Sequence, residues 1–134
     1  MRRLLFVIFI LGALVSAACG NRQPEAISTL GPIPTEYAGL TNPLGAEAAA
    51  DGAEVFHVNC EPCHGAQGHG DGPAGQILDP KPKNLGQFQK IAGDDILFWK
   101  ITTGSPGTAM LPWDGILTDE QIWEVIAFLR TLEP

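Results

Sequence analysis

One pentapeptide constrains this chain more than any other feature: Cys60-Glu61-Pro62-Cys63-His64. Its two thiols stand three positions apart, about one turn of helix, so both project from the same side. An imidazole follows the second thiol directly. The chain has 3 cysteines, and the remaining one, Cys19, lies far upstream. No pair is left over for a structural disulfide.

Three chemistries use spacing of this kind. A thioredoxin-like dithiol sits at the start of a helix in a strand–helix–strand unit, and strand signals are absent here. A zinc site needs four ligands. Cys60, Cys63 and His64 with His57 or His69 make up the number, but there is no second C-x-x-C and no H-x-x-x-H. A covalent c-type haem needs two thiols one turn apart for its two vinyl groups. It also needs an imidazole beside the second thiol, to reach the iron. The motif meets that requirement in full, and one haem c is the expected cofactor.

The N-terminus agrees with this. Arg2 and Arg3 precede an apolar run, Leu4 to Val15, and the small residues Ser16-Ala17-Ala18. This is the layout of an export signal, and haem is ligated to such chains outside the cytoplasm. Cys19 follows at once, where a lipoprotein signal peptidase would cut after the sulfur has been lipidated. Residues 1–18 are therefore read as a lipoprotein signal peptide and Cys19 as the lipidation site. Ser16 stands where such signals usually carry Leu. An uncleaved anchor fits less well: Leu4 to Ala18 spans about 22 Å of helix, against a ~30 Å hydrocarbon core. An ordinary secretory signal is the other reading. The expected location is a bacterial cell envelope, lipid-anchored on the outer, extracytoplasmic face of a membrane.

The net charge is −7, and −9 once Arg2 and Arg3 are left out. Such a surface excludes nucleic-acid binding through phosphates. It suits either a basic redox partner or plain solvation.

Gly20 to about Leu44 carries Pro24, Pro32, Pro34 and Pro43 with little apolar periodicity. It reads as a tether, either a flexible leash or a segment that wraps a partner subunit. The folded domain is expected over residues 45–134. So few residues make a small core, and a covalent haem would supply the missing apolar mass.

Three helices are legible. The first, over 46–59, places Phe56 and Cys60 on one face. The second, over 94–103, has Asp94 as a cap and Gly104 as a stop. The third, over 118–132, has Thr118 and Gln121 at capping-box spacing. It carries the stripe Ile122, Val125, Ile126 and Leu129. Gly- and Pro-rich loops cover 65–82 and 104–115. The expected class is all-α.

A haem iron has a second axial position. Beyond Met1 the chain holds one methionine, Met110, in a loop between Gly104 and Trp113. Met110 could simply fill space. His57 precedes the motif and His69 follows His64 too closely to cross the haem plane, so both are expected at the surface. The predicted axial pair is His64 and Met110. A thioether favours ferrous iron and raises the reduction potential.

These residues together resemble the class I cytochromes c: Cys60-x-x-Cys63-His64, Met110 downstream, and a closing helix with Trp123 and Phe128. The resemblance covers about residues 46–133. It implies a small fold of three main helices around one covalent haem, behind an extended N-terminal tether. It implies that Gly52 and Phe56 of the first helix meet Phe128 of the last. It also implies a proline carbonyl, from Pro80 or Pro82, accepting a hydrogen bond from His64. The implied function is electron transfer, an electron carrier and not an enzyme. More narrowly, Gly65 to Ala74, Pro80 to Leu85 and Asn42-Pro43-Leu44 look similar to the mono-haem lipoprotein subunit of alternative complex III. That likeness implies redox partners within a multi-subunit, quinol-oxidising membrane complex. A free lipid-anchored shuttle and a ligand-binding haem sensor are the alternatives.

Overall fold

The computed structural model describes residues 31–134. The signal-peptide reading of 1–18 and the lipidation site Cys19 lie outside them. Within them are five α-helices: α1 (Ala49–Asn59), α2 (Glu61–His64), α3 (Leu85–Ile91), α4 (Asp94–Thr103) and α5 (Asp119–Leu129). Two short 3-10 turns, Ala46–Ala48 and Gly75–Ile77, complete the order. There is no strand among the described residues, only an isolated bridge from Asp114 to Leu117. The expected all-α class is therefore observed, and α1, α4 and α5 are its main helices.

α5 is the element most clearly encoded. Thr118 accepts from the Gln121 backbone N–H, while the Gln121 side chain accepts from Thr118, a complete capping box. Its apolar face buries Ile122, Trp123, Val125, Ile126 and Leu129. The helix ends at Leu129, three residues short of the expected Leu132, and the chain turns there with Arg130 as cap.

α1 packs across α5 at a close backbone approach. A Cβ on Gly52 would lie 1.9 Å from the Glu124 carbonyl oxygen, so only glycine fits. Phe56 beside it is fully buried, with its ring centroid 5.0 Å from that of Phe128. The implied meeting of Gly52, Phe56 and Phe128 is thus present. Burying a side chain such as Phe56 contributes on the order of 1.5–3 kcal/mol.

α3 has no counterpart in the sequence reading. Its start signal is Asn84, whose side chain accepts from the Gln87 N–H at 2.9 Å. Gly86, its second residue, weakens the helical pattern. It is needed because a Cβ there would fall 1.8 Å from the Glu133 carbonyl oxygen.

Two expectations are corrected. Asp94 does not cap α4: Gly93 occupies the N-cap position and Asp94 is the first helical residue. Its carboxylate instead accepts from the Asn42 N–H and from Arg130. The last part of the expected tether is also built into the domain. Ile33, Tyr37, Leu40 and Leu44 pack against the core. Four spaced apolar side chains suffice for docking onto a surface that α4 and α5 leave open, although the segment has no period of its own.

Candidate haem-attachment site

The attachment motif is itself one helical turn. The N–H groups of Cys63 and His64 both donate to the Cys60 carbonyl, at 3.1 and 2.9 Å. Pro62 takes the first turn of α2, where its missing N–H costs nothing. Cys60 and Cys63 are both half-buried free thiols, so no disulfide competes for them. Burial pushes the Cys60 thiol up to about 12, and the neighbouring Cys63 adds to the rise.

The glycine-rich loop folds back beneath this turn. Gly70 N–H donates to the His64 carbonyl at 2.8 Å, and Ala74 N–H to the Pro62 carbonyl at 2.9 Å. Gly70 has φ +79°, and a Cβ there would lie 2.3 Å from the Pro82 carbonyl oxygen, so the crossing chain demands glycine. The Lys83 carbonyl thereby comes within 3.4 Å of His64 Nδ1. The implied proline, Pro80 or Pro82, is not the residue at this distance; the acceptor is the next carbonyl along. Residue type carries no signal for a main-chain oxygen, so the sequence could not choose among neighbours. Burial lowers the His64 pKa, opposed by the contact with Lys83. The neutral imidazole so favoured is the form that binds metal, and an acceptor at Nδ1 leaves Nε2 as the free nitrogen.

Met110 is half-buried against the core. Its loop is fixed by backbone bonds. Met110 N–H donates to Thr108 Oγ1 at 3.1 Å, and Met110 accepts from the Ser105 N–H at 3.0 Å. Trp113 and Asp114 N–H donate to the carbonyls of Ile101 and Thr102 at the end of α4. His57 and His69 are exposed as expected. His57 Nδ1 pairs with Glu61 at 2.5 Å, with its ring against Phe56 and Phe128. Among the described residues no group of three or more His, Cys, Asp or Glu could hold a metal ion. The zinc alternative therefore has no ligand set there. The donors on hand are two free thiols, an imidazole backed by a main-chain carbonyl and a thioether in an anchored loop. This set suits a haem.

Residues 47–129 match the family described as "Cytochrome C oxidase, cbb3-type, subunit III". The chain belongs to this family of cytochrome c domains. Such a domain carries covalently bound haem c and transfers electrons. Two solved structures share the fold of this cytochrome c. One is a chain of the reducing HAO-like protein complex of Kuenenia stuttgartiensis, at 24% identity and TM-score 0.62, covering 72% of this chain and 48% of that one. This cytochrome c thus spans about half the length of that relative. The other is cytochrome cL from the marine methylotrophic bacterium Methylophaga aminisulfidivorans, at 22% identity and TM-score 0.52. It covers 90% of this chain and 72% of that one.

Proposed function

We propose that Cys60 and Cys63 bear the haem by thioether bonds, that His64 and Met110 are its axial ligands, and that the protein is an anchored one-electron carrier. The observation that carries this reading is the α2 turn: two half-buried thiols one turn apart, with His64 backed by the Lys83 carbonyl. When bound, the haem supplies iron that cycles between ferric and ferrous states. The chain's part is to hold the imidazole neutral and oriented and to shelter the Met110 thioether. With both axial positions filled, no site is open to small ligands. The test is carbon monoxide added to the ferrous protein at neutral pH. The carrier leaves it unbound; ready binding would favour the sensor reading.

We further propose that the carrier works on the outer face of a bacterial membrane, held by lipid on Cys19, as a subunit of a quinol-oxidising complex of the alternative complex III type. Support comes from the export signal, from Cys19, and from the runs Gly65 to Ala74 and Pro80 to Leu85. No helix among the described residues is long and apolar enough to cross a membrane. The test is a C-terminal tag in the native host with gentle solubilisation. Co-elution with large membrane subunits, a multihaem cytochrome and iron–sulfur protein is expected. Recovery alone, with haem intact, would make it a free shuttle to a terminal oxidase or dehydrogenase.

A further inference from the structure

The strap of residues 33–44 is joined to the haem domain at one polar junction. Asp94, the first residue of α4, accepts from the Asn42 N–H at 3.0 Å and from Arg130 Nε at 3.1 Å. Arg130 Nη2 pairs with the same carboxylate oxygen at 2.5 Å, and its Nη1 donates to the Gln89 carbonyl in α3. The Asn42 side chain bridges outward: its Nδ2 donates to the Trp123 carbonyl at 2.8 Å, and its Oδ1 accepts from the Leu44 N–H at 2.9 Å. Beside it, Gly39 N–H donates to Asp95 at 3.1 Å. Below this junction Tyr37 leans on Phe98, ring centroids 6.3 Å apart, and Phe98 stacks on Trp123 at 4.2 Å. The strap thus touches both α4 and α5.

The other end of α4 holds the Met110 loop. The carbonyl of Ile101 accepts from Trp113, and that of Thr102 from Trp113 and Asp114, at 3.1 to 3.2 Å. The Thr102 hydroxyl, buried beside them, has no hydrogen-bond partner. Backbone bonds therefore join loop to helix, and the loop follows the helix wherever it sits. A helix of 10 residues is a rod of about 15 Å, stiff on this scale.

We propose that Asp94 is a positioning residue for the Met110 loop: by accepting from the Asn42 N–H it clamps the strap onto the start of α4, and α4 carries the loop at its end. The proposal rests on Met110 being an iron ligand. A loop with an open and a closed arrangement binds an external ligand in proportion to its open population. Loosening the clamp raises that population.

The test is titration of the ferric holoprotein with imidazole at fixed neutral pH, following the methionine–iron charge-transfer band, alongside thermal unfolding by circular dichroism. Asp94→Ala, which removes the acceptor of the Asn42 N–H, is expected to bind imidazole about tenfold more tightly than wild type. Tyr37→Leu, which keeps apolar volume while losing the ring contact, should move the same way by a smaller factor. A wild-type protein with the band, but variants with unchanged imidazole affinity, would overturn the clamp while leaving the ligand assignment standing, even if their unfolding temperature falls. A wild-type protein without the band would overturn both. Failure of both variants to mature with haem would make the strap a folding element and also overturn the proposal.

Discussion

The α1–α5 crossing and the haem-attachment face are built on opposite plans. The crossing is helix on helix, closed by Gly52 and filled by Phe56, Ile122, Val125 and Ile126, each at most 2% exposed apart from the glycine. The candidate attachment site is one helical turn with its glycine-rich loop; Cys60, Cys63, His64 and, in a loop of its own, Met110 are all half-buried. Its hydrogen bonds run within the turn, from the glycine-rich loop to the turn and from the Met110 loop to α4, with His64 Nδ1 against the Lys83 carbonyl. One region completes its packing from the chain alone. The other is shaped for a group that brings its own apolar surface. The lesson is that this domain separates what makes it fold from what makes it work.

The sharpest break of that contrast is at the crossing. Gly52→Val should abolish the native fold, since its Cβ would overlap the Glu124 carbonyl. Loss of cooperative thermal unfolding would register it. Phe56→Ala should follow, at about 3–5 kcal/mol by denaturant titration, for a fully buried ring without replacement. At the attachment face the effects should fall on chemistry instead. Met110→Ala should open the iron to carbon monoxide and lower the reduction potential by a sizeable part of the ~0.8 V that axial ligands span. Its unfolding should change far less than that of Phe56→Ala.

Asp94, bonded to the Asn42 N–H and to Arg130, should show those partners in pH. Burial alone would raise its pKa, but the Asn42 N–H and Arg130 outweigh this and hold the carboxyl below its ordinary value. A carboxylate with a lowered folded pKa stabilises fully above the unfolded value of ~3.9. It loses that contribution as pH falls through the folded one. Asp94→Asn should therefore cost about 1–2 kcal/mol near neutral pH, and the gap to wild type should narrow below pH ~4. The smallest effect is expected at Ile77→Ser. That side chain is 88% exposed, so stability should stay within about 0.5 kcal/mol.

What the sequence disclosed follows the same division. α5 was readable because capping box, apolar stripe and helix period all agree. The attachment turn was readable because its chemistry requires fixed spacing. α3 was hidden by Gly86, whose role is a contact with Glu133 from the far end of the chain. The docked strap was hidden because proline-rich composition reports the absence of regular structure, not of contacts. The Lys83 carbonyl was hidden because it is main chain. The Glu133 contact, the docked strap and the Lys83 carbonyl are long-range contacts that no local pattern encodes.

The most direct test of the central claim is peptide mass mapping of the protein purified from its own host, after treatment with an alkylating reagent under denaturing conditions. The account predicts one haem on the peptide holding Cys60 and Cys63, with neither sulfur alkylated. Recovery of that peptide without haem and with both thiols alkylated would contradict it.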